Sequence, residues 1–186
     1  DHRDLHSFPT RRSSDLEPVE LRSPSDARQR GLAIVHQEFN LIGPLSVAEN
    51  LFLTEMPTRA GFLQGRAMQR RAREVLGRLG VAVDVTRPVE SLTVAERQMV
   101  EIARALASDC RVLILDEPTA ALTQAEAGRL FEVVRTLRAR GVAVAYISHK
   151  LDEVFALADW ITVLRDGRQV GSGPVEIGRA SCRERV

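Results

Sequence analysis

The feature that most constrains the fold is an apolar run that ends in two acids. Positions 111–123 read R-V-L-I-L-D-E-P-T-A-A-L-T, so Val112, Leu113, Ile114 and Leu115 run unbroken into Asp116, Glu117 and Pro118. A run without alternation predicts a strand buried on both faces, the usual state of a parallel sheet flanked by helices. Asp116 and Glu117 then stand at the carboxyl end of that strand, where open α/β sheets collect their ligands. An unpaired charge is costly to bury. The natural partner is a metal ion or a metal-bound phosphate. Read alone, the pair is equally a strand end with two solvated acids.

The flanking sequence supplies what such a sheet needs. Positions 32–36 read as a strand that runs into Gln37 and Glu38, and 142–148 as another buried strand that runs into His149. Three Ser/Thr-x-x-Glu capping boxes open helices: Ser46 with Glu49, Thr93 with Glu96, and Thr123 with Glu126. The second of these helices turns Met99, Ile102, Ala103 and Leu106 inward. The third turns Leu130, Phe131, Val134 and Leu137 inward and stops at Gly141. A helix over 66–79 puts Met68, Ala72, Val75, Leu76 and Leu79 on one face. Its arginines, Arg66, Arg70, Arg71, Arg73 and Arg78, read as a solvated face rather than a nucleic-acid or lipid patch. Positions 150–158 form a helix with Leu151, Val154, Phe155 and Ala158 inward. A hairpin pairs 161–164 with 169–171 about Asp166-Gly167. Positions 17–21 read as a short strand, 23–29 as a polar helical turn, and 57–65 as loop.

Bulk properties exclude several classes. The chain has 186 residues, enough for one domain with a core. A net charge of +1 gives no footing for a nucleic-acid-binding surface. No apolar run approaches the length of a membrane span. Cys110 and Cys182 make no disulfide framework, which fits a reducing compartment.

The two ends carry a different signal. With suitable codons, the strand opposite the one encoding 176–186 (E-I-G-R-A-S-C-R-E-R-V) encodes 6–16 (H-S-F-P-T-R-R-S-S-D-L) at all eleven positions. The implied DNA resembles a common sequencing adapter. Residues 1–16 and 176–186 are therefore expected to be translated adapter and are set aside from fold reasoning. The domain expected is 17–175, with a helical subdomain over about 46–107.

Gln37, the helix start at Thr93, the Asp116–Glu117 pair and His149 are each weak signals alone; a Gln or His after a strand is usually structural. Their order and spacing resemble the ATP-binding domain of ABC transporters. The matching segments are V-H-Q-E at 35–38, S-L-T-V-A-E-R-Q-M-V-E-I-A-R-A-L at 91–106, L-I-L-D-E-P-T at 113–119 and Y-I-S-H-K at 146–150. Q-E-F-N-L-I-G-P-L-S-V-A-E-N and S-H-K-L-D-E-V are most similar to the first of two fused ATPase domains in bacterial monosaccharide importers.

The resemblance implies an α/β fold, an incomplete P-loop NTPase-like parallel sheet core with a helical subdomain. It implies ATP and Mg²⁺ as ligands. Asp116 matches the aspartate that helps hold the metal through its water shell, and Glu117 the catalytic glutamate that polarises the attacking water. Gln37 matches the glutamine that reaches metal and water. His149 matches the histidine on the γ-phosphate. Thr93, Val94, Ala95 and Glu96 match the signature motif, which serves ATP bound on the opposite domain. The implied partners are membrane permease subunits, a second ATPase domain (fused or dimeric) and, indirectly, a periplasmic sugar-binding protein, with no nucleic acid. The implied location is peripheral, on the cytoplasmic face of the bacterial inner membrane.

Three departures bear on activity. Val94 and Ala95 stand where the general signature has two glycines. Thr123 replaces the usual aspartate of the D-loop. No G-x-x-x-x-G-K-S/T segment is present, and Lys150 is the only lysine. This chain is therefore expected to be inactive by itself. Two other readings compete: a soluble ABC-type ATPase acting on nucleic acid or the ribosome, and a degenerate regulatory nucleotide-binding domain.

Overall fold

The structure, a computed structural model, describes residues 12–14, 17–53, 56, 58–59 and 62–175. The stretch 176–186 and most of 1–16, expected to be adapter, lie outside these residues. In chain order the elements are β1 (Arg12–Ser14), β2 (Glu17–Val19), α1 (Pro24–Gln29), β3 (Leu32–Val35) and α2 (Val47–Leu51). Next come β4 (Thr58–Arg59), β5 (Phe62–Leu63), α3 (Gly65–Arg78) and α4 (Val94–Ala107). The chain then forms β6 (Val112–Asp116), α5 (Gln124–Ala139), β7 (Ala143–Ile147), α6 (Leu151–Leu157), β8 (Trp160–Arg165) and β9 (Arg168–Pro174). The strand expected over 17–21 forms as β2, paired with β1. The 57–65 stretch expected to be loop contains the two-residue ladder β4–β5, too short for any periodicity to announce it.

The apolar runs do build a parallel sheet, in the order β3-β6-β7. Val35 lies beside Leu115, which lies beside Tyr146. One glycine sets the register at the amino end. Gly31 has φ +77°, and a Cβ there would meet the Arg111 side chain at 2.9 Å. Its carbonyl accepts from the Arg111 and Val112 N–H groups at 2.7 and 3.0 Å. Any side chain would both strain the backbone and push β6 away.

The sheet departs from expectation in one respect. The sequence predicts β6 and β7 buried on both faces, yet only one face is closed. Val35, Leu113 and Leu115 are buried, and Ala33, Val144 and Tyr146 pack against the same core. That core is completed by Val100, Ile102 and Ala103 of α4 and by Leu130, Val133, Val134 and Leu137 of α5. On the other face Ile34 is 51% exposed and Ile147 50%. β7 alternates between exposed and half-buried positions instead of being buried throughout. Among the described residues the helices cover a single side, which leaves Ile34 and Ile147 exposed on the other while Ile114 between the outer strands is half-buried.

The helices follow the sequence more closely. All three capping boxes close reciprocally at Ser46, Thr93 and Thr123. Met68, Ala72 and Leu76 are the buried residues of α3, and Leu79 beyond it is buried too. The Arg71 guanidinium lies 4.9 Å from the centre of the Phe52 ring, a cation–π contact that ties α3 to the end of α2. α6 is shorter than expected, and Leu151 is 56% exposed rather than inward. A helix of two turns on an otherwise open surface has only Leu157 to bury. The β8–β9 hairpin turns at Asp166 and Gly167, both with positive φ, and stands outside the parallel sheet.

Candidate active site

The parallel order brings three of the predicted site segments to one edge. β3 delivers Gln37, β6 delivers Asp116 and Glu117, and β7 delivers His149, each at or just past the strand's carboxyl end. The decisive contact is direct: His149 Nδ1 lies 3.0 Å from Glu117 Oε1. The imidazole is 69% exposed and the carboxylate 33%. A carboxylate only accepts, so the tautomer with the proton on Nδ1 is the one that makes this bond.

Glu117 sits in an unusual backbone conformation. Its φ is +45°, in the left-handed region that costs a residue with a side chain about 1–2 kcal/mol. Its N–H donates to the Ile147 carbonyl at 3.0 Å, extending the β6–β7 pairing by one bond. The kink turns the Glu117 side chain away from the strand line and toward the loop after β7. Asp116, still in the strand, is half-buried. Gln37 is exposed, and no hydrogen bond among the described residues joins it to either acid.

The loop that carries Gln37 is anchored by two buried polar residues that sequence reading missed. Asn50 is fully buried; its Oδ1 accepts from the Ile42 N–H at 2.8 Å, and its Nδ2 donates to the carbonyls of Ile42, Leu45 and Ser46. Glu101, 4% exposed, accepts from the Asn40 N–H at 2.7 Å and from Arg104 at 2.8 Å. Arg104 also donates to the Asn40 carbonyl at 2.6 Å. Burial pushes the Glu101 carboxyl up, against the opposing pull of Arg104 and the Asn40 N–H. Only the placement of a polar residue on the apolar side of an amphipathic helix hinted at either role.

Thr93, Val94, Ala95 and Glu96 are not brought to the acids. They form the cap and first turn of α4, where the Thr93 and Glu96 side chains are used in the capping box. Thr93 N–H donates to Glu96 at 2.8 Å, and Glu96 also meets Arg87 at 3.7 Å. Thr123 likewise has a local role, as the cap of α5 with Glu126. A cleft of about 430 Å³ lies between β7, α6 and Trp160, lined by neither Glu117 nor His149.

The chain matches the ABC transporter family over residues 10–120. It belongs to that family. It is 56% identical over 160 residues to the ribose import ATP-binding protein RbsA 3 of Rubrobacter xylanophilus, covering 86% of this chain and 32% of that protein. It is 49% identical to a putative ribose/galactose/methyl galactoside import ATP-binding protein of Burkholderia ambifaria, covering 85% of this chain and 31% of that one. The chain thus spans about a third of the length of these relatives. The fold is shared with the solved structure of cbiO1 from Clostridium perfringens, described as part of an ABC transporter complex. The TM-score is 0.75 at 22% identity, over 91% of this chain and 68% of that one.

As a member of that family the chain is an α/β protein of the P-loop NTPase fold. No helix among its described residues is long and apolar enough to cross a membrane. No cluster of three or more His, Cys, Asp or Glu among those residues has the makings of a metal cage. Mg²⁺ usually takes only one or two carboxylates from a protein and keeps water in the rest of its shell. Asp116, half-buried at the end of β6, is a carboxylate of that kind.

Proposed function

We propose that this chain is part of the ATP-hydrolysing subunit of a bacterial ABC importer for monosaccharides. The observation that carries the reading is the 3.0 Å contact between Glu117 and His149 at the carboxyl edge of the parallel sheet. An acceptor for a water proton beside a donor for a phosphate oxygen would suit phosphoryl transfer, a reaction that needs positioning and charge stabilisation above all. The names of the relatives, ribose and galactose import ATP-binding proteins, support the sugar class. In this reading Glu117 orients the attacking water and takes its proton. His149, with Nδ1 held by Glu117, offers Nε2 to the γ-phosphate and donates in its imidazolium form. Asp116 and Gln37 would hold Mg²⁺, which would supply charge neutralisation when bound.

The N–H groups that open α4 at Val94 and Ala95 serve ATP on a partner ATPase domain, where a helix N-terminus favours anions. The subunit docks on membrane permease chains at the cytoplasmic face of the inner membrane and is reached indirectly by a periplasmic binding protein. Residues 1–16 and 176–186 are adapter-derived. The family match starts at residue 10, so the codon complementarity of the two ends carries this boundary. Raw reads that continue as related coding sequence beyond residues 17 and 175 would sink it.

The test is Mg-dependent ATP turnover by the full-length protein. Glu117→Gln is expected to lower kcat by a factor on the order of 100–1000 and leave nucleotide binding in place. Equal turnover by the variant would overturn the assignment. This chain alone, without a G-x-x-x-x-G-K-S/T segment, is expected to show no turnover.

A further inference from the structure

We propose that Glu153 is a positioning residue, a part-buried carboxylate clamp that holds the loop carrying His149 against the turn that follows Glu117. Glu153 lies in the first turn of α6, yet its side chain is only 11% exposed. It accepts from four side chains on three segments. Thr119 Oγ1 lies 2.7 Å from both carboxylate oxygens. Tyr146 Oη of β7 donates at 2.8 Å, Ser148 Oγ at 3.2 Å and Lys150 Nζ at 3.3 Å. An ionised carboxylate has about four lone-pair sites, so these donors use it fully.

The clamp is closed on itself. The Lys150 N–H donates to Ser148 Oγ at 3.0 Å, and Lys150 Nζ reaches the Thr119 carbonyl at 3.3 Å. Thr119, itself 2% exposed, follows Glu117 by two residues. His149 stands between Ser148 and Lys150, both bonded into the clamp. Its exposed ring would otherwise sample several rotamers, and holding an exposed side chain in one geometry costs entropy. Fixing the backbone on either side of it reduces that cost.

The plainer role for an acid at this position is to offset the α6 dipole. Asp152 fills that role, exposed and also in the first turn. Glu153 bonds none of the free N–H groups of α6 and turns inward to Thr119, Tyr146 and Ser148. Burial would push its carboxyl up, but hydrogen bonds from Thr119, Tyr146 and Lys150 outweigh that and hold it below the ordinary carboxylate range. The same pairing, added to burial, pushes the Tyr146 hydroxyl well up.

The consequence for turnover rests on the ATPase reading above; the clamp itself does not. Two measurements separate them. In the full-length protein, Glu153→Gln and Thr119→Val are expected to lower kcat about 10- to 100-fold with KM for ATP within about twofold, while Thr119→Ser, which keeps the hydroxyl, restores the rate. In the chain itself, the His149 ring resonances are expected to move in Glu153→Gln and Thr119→Val toward those of Glu117→Gln and to stay in place in Thr119→Ser. Amide protection of β6 should be unchanged throughout. If Glu153→Gln does not fold, the Thr119 pair reads the same contact. Unmoved His149 resonances, resonances that move only with loss of β6 protection, or an undiminished kcat overturn the clamp. Wild-type protein without Mg-ATP turnover overturns the ATPase reading instead and leaves the resonances to decide the clamp.

Discussion

Glu117 holds two properties in tension. Its φ of +45° is strained for any residue with a side chain, yet that kink aims the carboxylate at His149. Strain of this kind persists where the surrounding structure over-determines it, and here the Glu117 N–H to Ile147 bond does so. The partly exposed Glu117–His149 contact adds at most about 1 kcal/mol. Glu117→Gly is therefore expected to raise stability by up to about 1 kcal/mol, read from the denaturant midpoint, while abolishing turnover in the full-length protein. A lower midpoint would show that the conformation is not strained. The residue type was legible in the sequence, since two acids after an apolar run stand out. Its conformation and its contact were not, because φ at a strand end depends on the neighbouring β7.

At the scale of elements, the clearest legible signals were local and chemical. The boxes at Ser46, Thr93 and Thr123 formed as read, because each needs only a hydroxyl and a carboxylate three residues apart. Thr123→Ala is expected to cost about 1 kcal/mol through loss of the Glu126 N–H partner, measured as a fall in denaturant midpoint without a change in slope. What failed to read was long-range. Leu151 has the helical spacing of an inward residue but no neighbour to cover it. Glu153 looks like an ordinary acid in a first turn, and its true partner Thr119 lies 34 positions away. Asn50 and Glu101 are likewise bound to a loop that no periodicity marks. The parallel sheet itself was legible from the runs at 32–36, 112–115 and 142–148, but which faces would be covered was not, since an apolar run is silent about what packs on it.

The whole molecule carries a definite dependence on acid. Asp26 is held low by its Arg30 bond, Glu49 by the Ser46 hydroxyl, and Asp84 and Glu126 by the N–H groups of Thr86 and Thr123. Glu153 is held low against its burial by the clamp. For each of these the unfolded chain binds its proton at a higher pH than the folded one. Their stabilisation is complete above the ordinary values of 3.8 and 4.5 and is lost as pH falls through the lowered folded values. Glu101 has the opposite sign: its raised carboxyl favours the folded state below 4.5, and that contribution fades as pH rises through the raised value. Five groups oppose one, so Tm is expected to fall as the solution is acidified below 4.5, with a shallower fall in Glu153→Gln. A flat melting profile across that window would contradict this balance. The half-open sheet has a different consequence, for how the chain keeps company in dilute solution. Ile34 and Ile147 on the uncovered face and Trp160 and Leu164 on the hairpin offer greasy surface, and among the described residues no strand pairs the outer rim of β7. Freshly made chain should light up anilinonaphthalene dyes, linger on chaperones that grip extended apolar segments, and salt out of sulfate earlier than its near-neutral charge alone would dictate.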